Sequence, residues 1–293
     1  MMAGFLLGFC FTLALSLCLL HSKRKLVVRI KPELRDVQEA KSGTPTVGGI
    51  AFTVSTTVVS LLLHLSPVGL LAMWLFAAVG LLDDLEKTRT RNGDGLKSTT
   101  KLFAQFLAAF LTVLMLGMNN LVETNFSYSA FSVFFLVYMV NAVNISDGMD
   151  GLATLMALPA LCMVAAVDRN PFLLAFIGSL LGFLILNMKP AKYFMGDTGS
   201  HAIGAVLALA ALVHHREGPV LVATIPFFVE FLSSFVQIVA IRLFGRKVFA
   251  IAPLHHDLQK HGLGERTTVA IFFLASLSAT LAAVWLMGRG GVA

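Results

Sequence analysis

Five aspartates stand out in a chain of 293 residues of which only 13% are charged. Asp83 and Asp84 are adjacent, Asp147 and Asp150 are three apart, and Asp197 lies between Gly196 and Gly199. A basic set accompanies them: Lys41, Lys87, Lys101 and the neighbours His255 and His256. Magnesium takes one or two carboxylates together with substrate phosphates. Lysine and histidine then offset the charge that remains on a phosphoryl group in transfer. No Ser-His-Asp arrangement and no zinc-protease helix is present. The chemistry that fits these residue types is Mg2+-dependent phosphoryl transfer.

Each motif also has a plainer explanation. The run from Lys41 to Gly49 holds Pro45 and three glycines, a tight turn into a helix. It is either a phosphate site at a helix start or a simple entry turn. Asp83 and Asp84 close an apolar run at a helix C-terminus, where the macrodipole is negative. They call for a cation, or they mark a solvated boundary. Asn144, Asp147 and Asp150 recur every three residues, which puts them on one side of a helical turn, with Gly148 and Gly151 opening the backbone. Asp197 and Ser200 are N-capping types; Asp197 is alternatively a magnesium ligand. Phe194 either stacks on a flat ring or anchors the interface. Glu230, Ser233, Ser234 and Gln237 share one stripe of a helix that Pro226 is expected to kink. Interhelical hydrogen bonding is the plain account of Glu230. His255 and His256, beside Asp257, suit phosphate contact better than zinc, for which too few ligands are local.

These residues need a scaffold, and 57% hydrophobic residues with a mean hydropathy of +0.83 indicate which kind. Disorder, a disulfide scaffold and a nucleic-acid module are excluded. The expected fold is an all-α polytopic integral membrane protein, one domain over residues 1–293. Ten apolar runs are expected to span: 5–20, 48–65, 69–83, 102–118, 128–143, 151–167, 171–188, 201–214, 220–242 and 268–287. Cys10, Cys18 and Cys162 lie in such runs and are read as apolar packing residues. With alternating sides, one face collects all of the 22 Lys and Arg except Arg169, Arg216 and Arg289. The positive-inside rule makes that face cytoplasmic and leaves both termini outside. The acidic set crowds the same face, whereas a transporter would need polar groups near the midplane. A site where cytosol meets lipid would serve a cytosolic nucleotide donor and an acceptor dissolved in the bilayer.

Five segments then become recognisable in order: Thr44 to Gly49, Asp83-Asp84, Asn141 to Ala153, Phe194 to Ser200, and Ala252 to His256. Together they closely resemble the polyprenyl-phosphate N-acetylhexosamine-1-phosphate transferases, most nearly the muramoyl-pentapeptide branch. The resemblance implies that undecaprenyl phosphate attacks the sugar-bearing phosphate of UDP-N-acetylmuramoyl-pentapeptide, releasing UMP and forming lipid I. It implies a bacterial inner membrane protein, its site facing the cytoplasm, Mg2+ as cofactor and a homodimer. By motif, Asp197 would ligate magnesium, with Asp83 and Asp84 as further candidates in the catalytic centre and His255 beside them. Asn144, Asp147, Asn187, Phe194 and Gly196 would line the donor site, Phe194 on uracil. Asp150, Lys41, Thr46, Lys87, Lys101, Ser200, Gln237, Ala252 and His256 would complete the pocket. Asp257 departs from the family, which carries a third histidine there. The rival donor is UDP-N-acetylglucosamine; a ten-span transporter is the rival from another class.

Overall fold

The computed structural model describes residues 2–21, 43–90 and 93–290, and every regular element among them is a helix. Lys41 lies outside the described residues. In chain order the helices are α1 (Met2–His21), α2 (Gly48–Leu62), α3 (Pro67–Arg89), α4 (Ser98–Met118), α5 (Phe126–Ser146) and α6 (Leu152–Asp168). They continue as α7 (Pro171–Asn187), α8 (Gly196–Val213), α9 (Glu217–Ala223), α10 (Ile225–Phe244), α11 (Leu254–Lys260) and α12 (Glu265–Gly290).

Seven of the described helices (α1, α3, α4, α5, α8, α10 and α12) are long and apolar enough to cross a membrane. The apolar helices α2, α6 and α7 are shorter; at 17 residues, α6 and α7 reach about 25 Å against a hydrocarbon core of about 30 Å. Phe103, Phe110, Phe134, Phe235 and Trp285 point outward and are exposed. Such a surface suits lipid and not water. The chain is a multi-pass membrane protein. Its cysteines are free and exposed on this outer surface, not packed inside.

Local chemistry sets the helix ends. Ser66 accepts from the Gly69 N–H at 3.1 Å, with Pro67 opening α3. Asn170 accepts from the Phe172 and Leu173 N–H groups, with Pro171 opening α7. Some boundaries differ from expectation. α3 runs past Asp83 and Asp84 to Arg89, because Lys87 pairs with both aspartates one turn on and favours helix there. α8 starts at Gly196, five residues before the apolar run, so Asp197 sits in its first turn instead of capping it. α5 stops at Ser146 with Asp147 as its C-cap, so Asn144, Asp147 and Asp150 do not share one helix. The run at 220–242 is two helices meeting at Thr224. Pro226 does not kink a helix; it lies in the first turn of α10, where a missing N–H removes no bond.

α8 is the buried centre of the bundle, packed against α2, α3 and α5. Small residues permit the close approaches. A Cβ on Gly80 of α3 would meet the backbone of Asp197 and Thr198, and one on Gly204 of α8 the backbone of Val140. α1 packs along α7 through a stripe one turn apart, Gly4, Gly8, Thr12 and Ser16. Opposite it, Gly178 and Gly182 face the Phe5 and Phe9 carbonyls. Helices in lipid associate through such packing, since apolar burial alone gives no preference there.

Polar groups gather at the two ends of the bundle. One end holds the Asp168–Arg216 pair at 3.2 Å, an Asn170–His214 hydrogen bond and a Tyr128–Glu217 hydrogen bond. The other holds the aspartates and lysines described next. Gly178→Val is expected to lower stability by about 1–3 kcal/mol through overpacking against the Phe5 carbonyl. Thermal unfolding in detergent against the parent protein measures it; an unchanged midpoint would disprove the close α1–α7 contact.

Candidate active site

The site begins where α3 crosses the start of α8. Asp84 accepts the Asp197 N–H and the Thr198 N–H, each at 2.9 Å, and the Thr198 hydroxyl at 2.7 Å. A carboxylate from one helix thus caps another, satisfying N–H groups that would otherwise lack partners. Gly196, at φ +66°, precedes this turn, and a side chain there would meet Asp84 and Thr46. With the cap supplied by Asp84, the Asp197 side chain is left for other partners.

Those partners are two lysines. Lys87 donates to Asp197 at 2.6 Å and pairs with Asp83 at 2.7 Å. Lys101, from α4, hydrogen-bonds the other Asp197 oxygen, reaches Asn144 at 3.2 Å and lies 3.7 Å from Asp83. Asp83 also accepts the Leu96 N–H at 2.9 Å, which fixes the loop between α3 and α4. Asn144 donates to Ser200 at 2.9 Å. Asp83 and Asp84 are each only 2% exposed. A cleft of about 490 Å³ opens over Asp83, Lys87, Lys101, Asn144 and Asp197.

The other expected residues form a frame beside this cleft. Asn187 accepts the Gly151 N–H at 3.0 Å and donates to the Tyr193 carbonyl at 2.9 Å, tying two turns together. Asp150 accepts the Ala191 N–H at 3.0 Å. The half-buried Phe194 is held through its backbone by Pro45 and Gly48. Tyr193 is fully buried and hydrogen-bonded to Ser16 of α1; burial pushes its phenol above the ordinary range. His255 and His256 are buried with rings 4.2 Å apart, and both Nε2 atoms face Gly148, next to Asp147. Gln237 does not reach the cleft; it holds the loop before α11 through Val248 and Phe249, each bond 3.0 Å. Glu230 and Ser233 bond His255 and Leu254 at the start of α11, the interhelical hydrogen bonding expected of Glu230, whereas Gln237 docks the loop before that helix. Ala252 lies half-buried in that loop.

Among the described residues, no three or more His, Cys, Asp or Glu form a ready metal cage. The donor set nevertheless suits magnesium. Asp83 and Asp197 offer oxygen ligands at the cleft, and magnesium asks for one or two carboxylates plus phosphates and water. In their ordinary ionised forms, three carboxylates face two ammonium groups, so one negative charge is unmatched. Asp84 is the poorest ligand of the three, because the α8 backbone already takes both its oxygens.

Several site residues receive no role from the sequence alone, Asn141 among them although it heads one of the motifs. Gln105 and Asn141 line the cleft, joined to each other at 2.8 Å, and Gln105 contacts the buried His201 at 2.9 Å. Gln105 lies four residues after Lys101, so an amide one turn on in an apolar run was the available signal. Glu265 accepts the Asp150 N–H at 3.0 Å and pairs with Lys189 at 2.6 Å. No spacing connects it to either. Asp84→Ala is expected to cost about 0.5–2 kcal/mol, as lost helix caps do, and to lower activity by loosening Asp197. Chemical or thermal unfolding in detergent reads the first effect and a turnover assay the second; a variant of parental stability would refute the cap.

Comparison with known proteins agrees with this geometry. A family model described as Glycosyl transferase family 4 matches residues 66–215, which include Asp83, Lys101, Asn144 and Asp197. The phospho-N-acetylmuramoyl-pentapeptide-transferase of Thermotoga maritima is 31% identical, over 92% of this chain and 93% of the relative. That of Levilactobacillus brevis is 33% identical, over 85% and 86%, and that of Lactiplantibacillus plantarum 32%, over 97% and 96%. The chain belongs to glycosyl transferase family 4, in the family of the phospho-N-acetylmuramoyl-pentapeptide-transferases.

Proposed function

We propose that this chain transfers phospho-N-acetylmuramoyl-pentapeptide from its UDP donor to undecaprenyl phosphate, giving lipid I and UMP in the membrane step of peptidoglycan biosynthesis. The observation that carries this is the convergence of Asp83, Lys87, Lys101, Asn144 and Asp197 on one cleft. An apolar groove of about 580 Å³ between α4 and α5, running from Phe106 and Phe134 to Met118 and Phe126 at the helix ends away from the cleft, supports an acceptor with a long lipid tail. The same two helices carry Lys101 and Asn144.

An acceptor phosphate oxygen bonds to the phosphorus that bears the sugar. The bond from that phosphorus to the bridging oxygen breaks, and UMP leaves with the electron pair. A phosphate monoester is already anionic, so the enzyme's task is to bring two anions together. Lys87 and Lys101 screen that repulsion, and Asn144 with Ser200 orients the donor. Asp83 takes any remaining proton from the acceptor. Asp84 acts through Asp197 by holding the start of α8. Asp147, Asp150, Asn187, Phe194, Gly196 and Thr46 shape the donor pocket, with Phe194 against uracil and Lys41, His255, His256 and Ala252 at its margins, while Gln237 holds the loop that leads to Ala252. A magnesium ion held by Asp197, with Asp83 beside it, would supply charge neutralisation on the pyrophosphate.

We further propose that α2, α6 and α7 complete ten spans, α9 and α10 counting as one, within a single domain. The Lys and Arg distribution supports termini outside and a cleft facing the cytoplasm of a bacterial inner membrane. The family resemblance supports a homodimer.

Labelled UDP-N-acetylmuramoyl-pentapeptide and UDP-N-acetylglucosamine, each offered to purified protein with undecaprenyl phosphate, test the donor. UMP release is expected with the muramoyl donor; release only with the glucosamine donor would refute the assignment. Asp197→Asn is expected to abolish magnesium-dependent turnover in a protein that still folds. Full activity in that variant would remove Asp197 from the metal site.

A further inference from the structure

Outside the cleft, one buried acidic group has no role in the chemistry described so far. Glu230 on α10 is fully buried, and its carboxylate faces His255, which is also fully buried. One oxygen accepts the His255 backbone N–H at 3.1 Å; the other lies 2.7 Å from the ring Nδ1. A carboxylate in its ordinary ionised form only accepts, so Nδ1 carries a hydrogen whatever the state of the ring. The opposite nitrogen, Nε2, has no hydrogen-bond partner among the described residues. It points at Gly148, where a Cβ would collide with it. Thus the ring is gripped on one edge by a helix of the bundle and presents its other edge to the 147–151 turn.

Its neighbours on α10 do less. Ser233 accepts the Leu254 N–H at 3.1 Å, and Gln237 binds backbone at Val248 and Phe249. Both dock the loop. Of the three, Glu230 is the one that also binds a side chain able to carry chemistry. Burying a carboxylate in a membrane helix is costly, and a loop could be docked by an amide, as Gln237 shows. The charge is needed only for the ring.

We propose, resting on the donor assignment above, that Glu230 is a positioning residue that fixes the tautomer and orientation of His255. Any proton or hydrogen bond that His255 exchanges with the nucleotide donor then passes through Nε2, on the edge that lies against Gly148. Glycine at 148 is part of the device, because a larger residue would push the ring off Glu230.

Nitrogen-15 NMR of histidine-labelled protein in lipid nanodiscs tests this, with the His255 signals identified by their loss in His255→Asn. The parent protein is expected to show His255 with its hydrogen on Nδ1. Glu230→Gln, of the same shape and still able to accept the backbone N–H, is expected to shift the population toward Nε2–H. It is also expected to lower kcat by about tenfold or more, the scale of a misplaced acid–base group, with KM changing less. In a His255→Gln background, Glu230→Gln is expected to change kcat by less than about twofold, since a positioning residue has nothing left to position. Gly148→Ala is expected to reproduce the tautomer shift. An Nδ1 without hydrogen, the neutral ring carrying its hydrogen on Nε2 alone, in the parent protein would overturn the proposal even if no variant folds. So would an unchanged tautomer in Glu230→Gln, or a kcat loss in the His255→Gln background as large as in the parent. Absence of UMP release by the parent protein would count against the donor assignment and leave the tautomer result to decide Glu230.

Discussion

Two aspartates that are neighbours in sequence do different work at the crossing of α3 and α8. Asp84 turns inward and binds the backbone at the start of α8; Asp83 turns toward the cleft and meets Lys87. The crossing is tight because Gly80 lets the α8 backbone approach. If the cap were lost, the Asp197 and Thr198 N–H groups would lose their partner, and the start of α8 would no longer hold the Asp197 side chain in place. The lysine pair would then lose its common partner. The whole charged centre depends on one carboxylate being committed to backbone so that a second can stay available.

The strain of this arrangement on stability is visible in how densely it is paired. Asp83, Asp84 and Asp197 are nearly dry, and charges so buried are strongly unfavourable unless matched. Lys87 lies against all three and Lys101 against two of them, so removing either lysine would leave a carboxylate unmatched. Counted in ordinary ionised forms, the match is incomplete by one charge, which leaves the cleft with a net attraction for cations.

Much of the scaffold was legible because lipid imposes simple rules. Runs of about twenty apolar residues mark helices α1, α4, α5 and α12 nearly to their ends. The errors lie where polar residues continue a helix beyond the apolar run, at Asp83–Arg89 and Gly196–Ser200. Hydropathy reads those as loop, whereas pairing with Lys87 and capping by Asp84 make them helix. The candidate site was legible at the level of residue type: aspartates and lysines on one face. Its division of labour was not. Nothing local distinguishes Asp83 from Asp84, or marks Gln237 as a loop anchor, since those roles are set by partners that are distant in the chain. Glu265 and Ser16 were missed for the same reason, the latter's partner Tyr193 being 177 positions away.

That last separation bears on how the protein is made. Ser16 sits on α1, and the groups it and its small-residue stripe pack against belong mainly to α7 and the loop after it. At about 5–20 residues per second, a ribosome needs on the order of 10–35 s to synthesise the 177 residues in between. Throughout that interval α1 must wait in the bilayer, its notched face bare, while five other helices insert. Docking of the loop that carries Tyr193 is therefore a closing step, in which a segment made early clasps one made many seconds later.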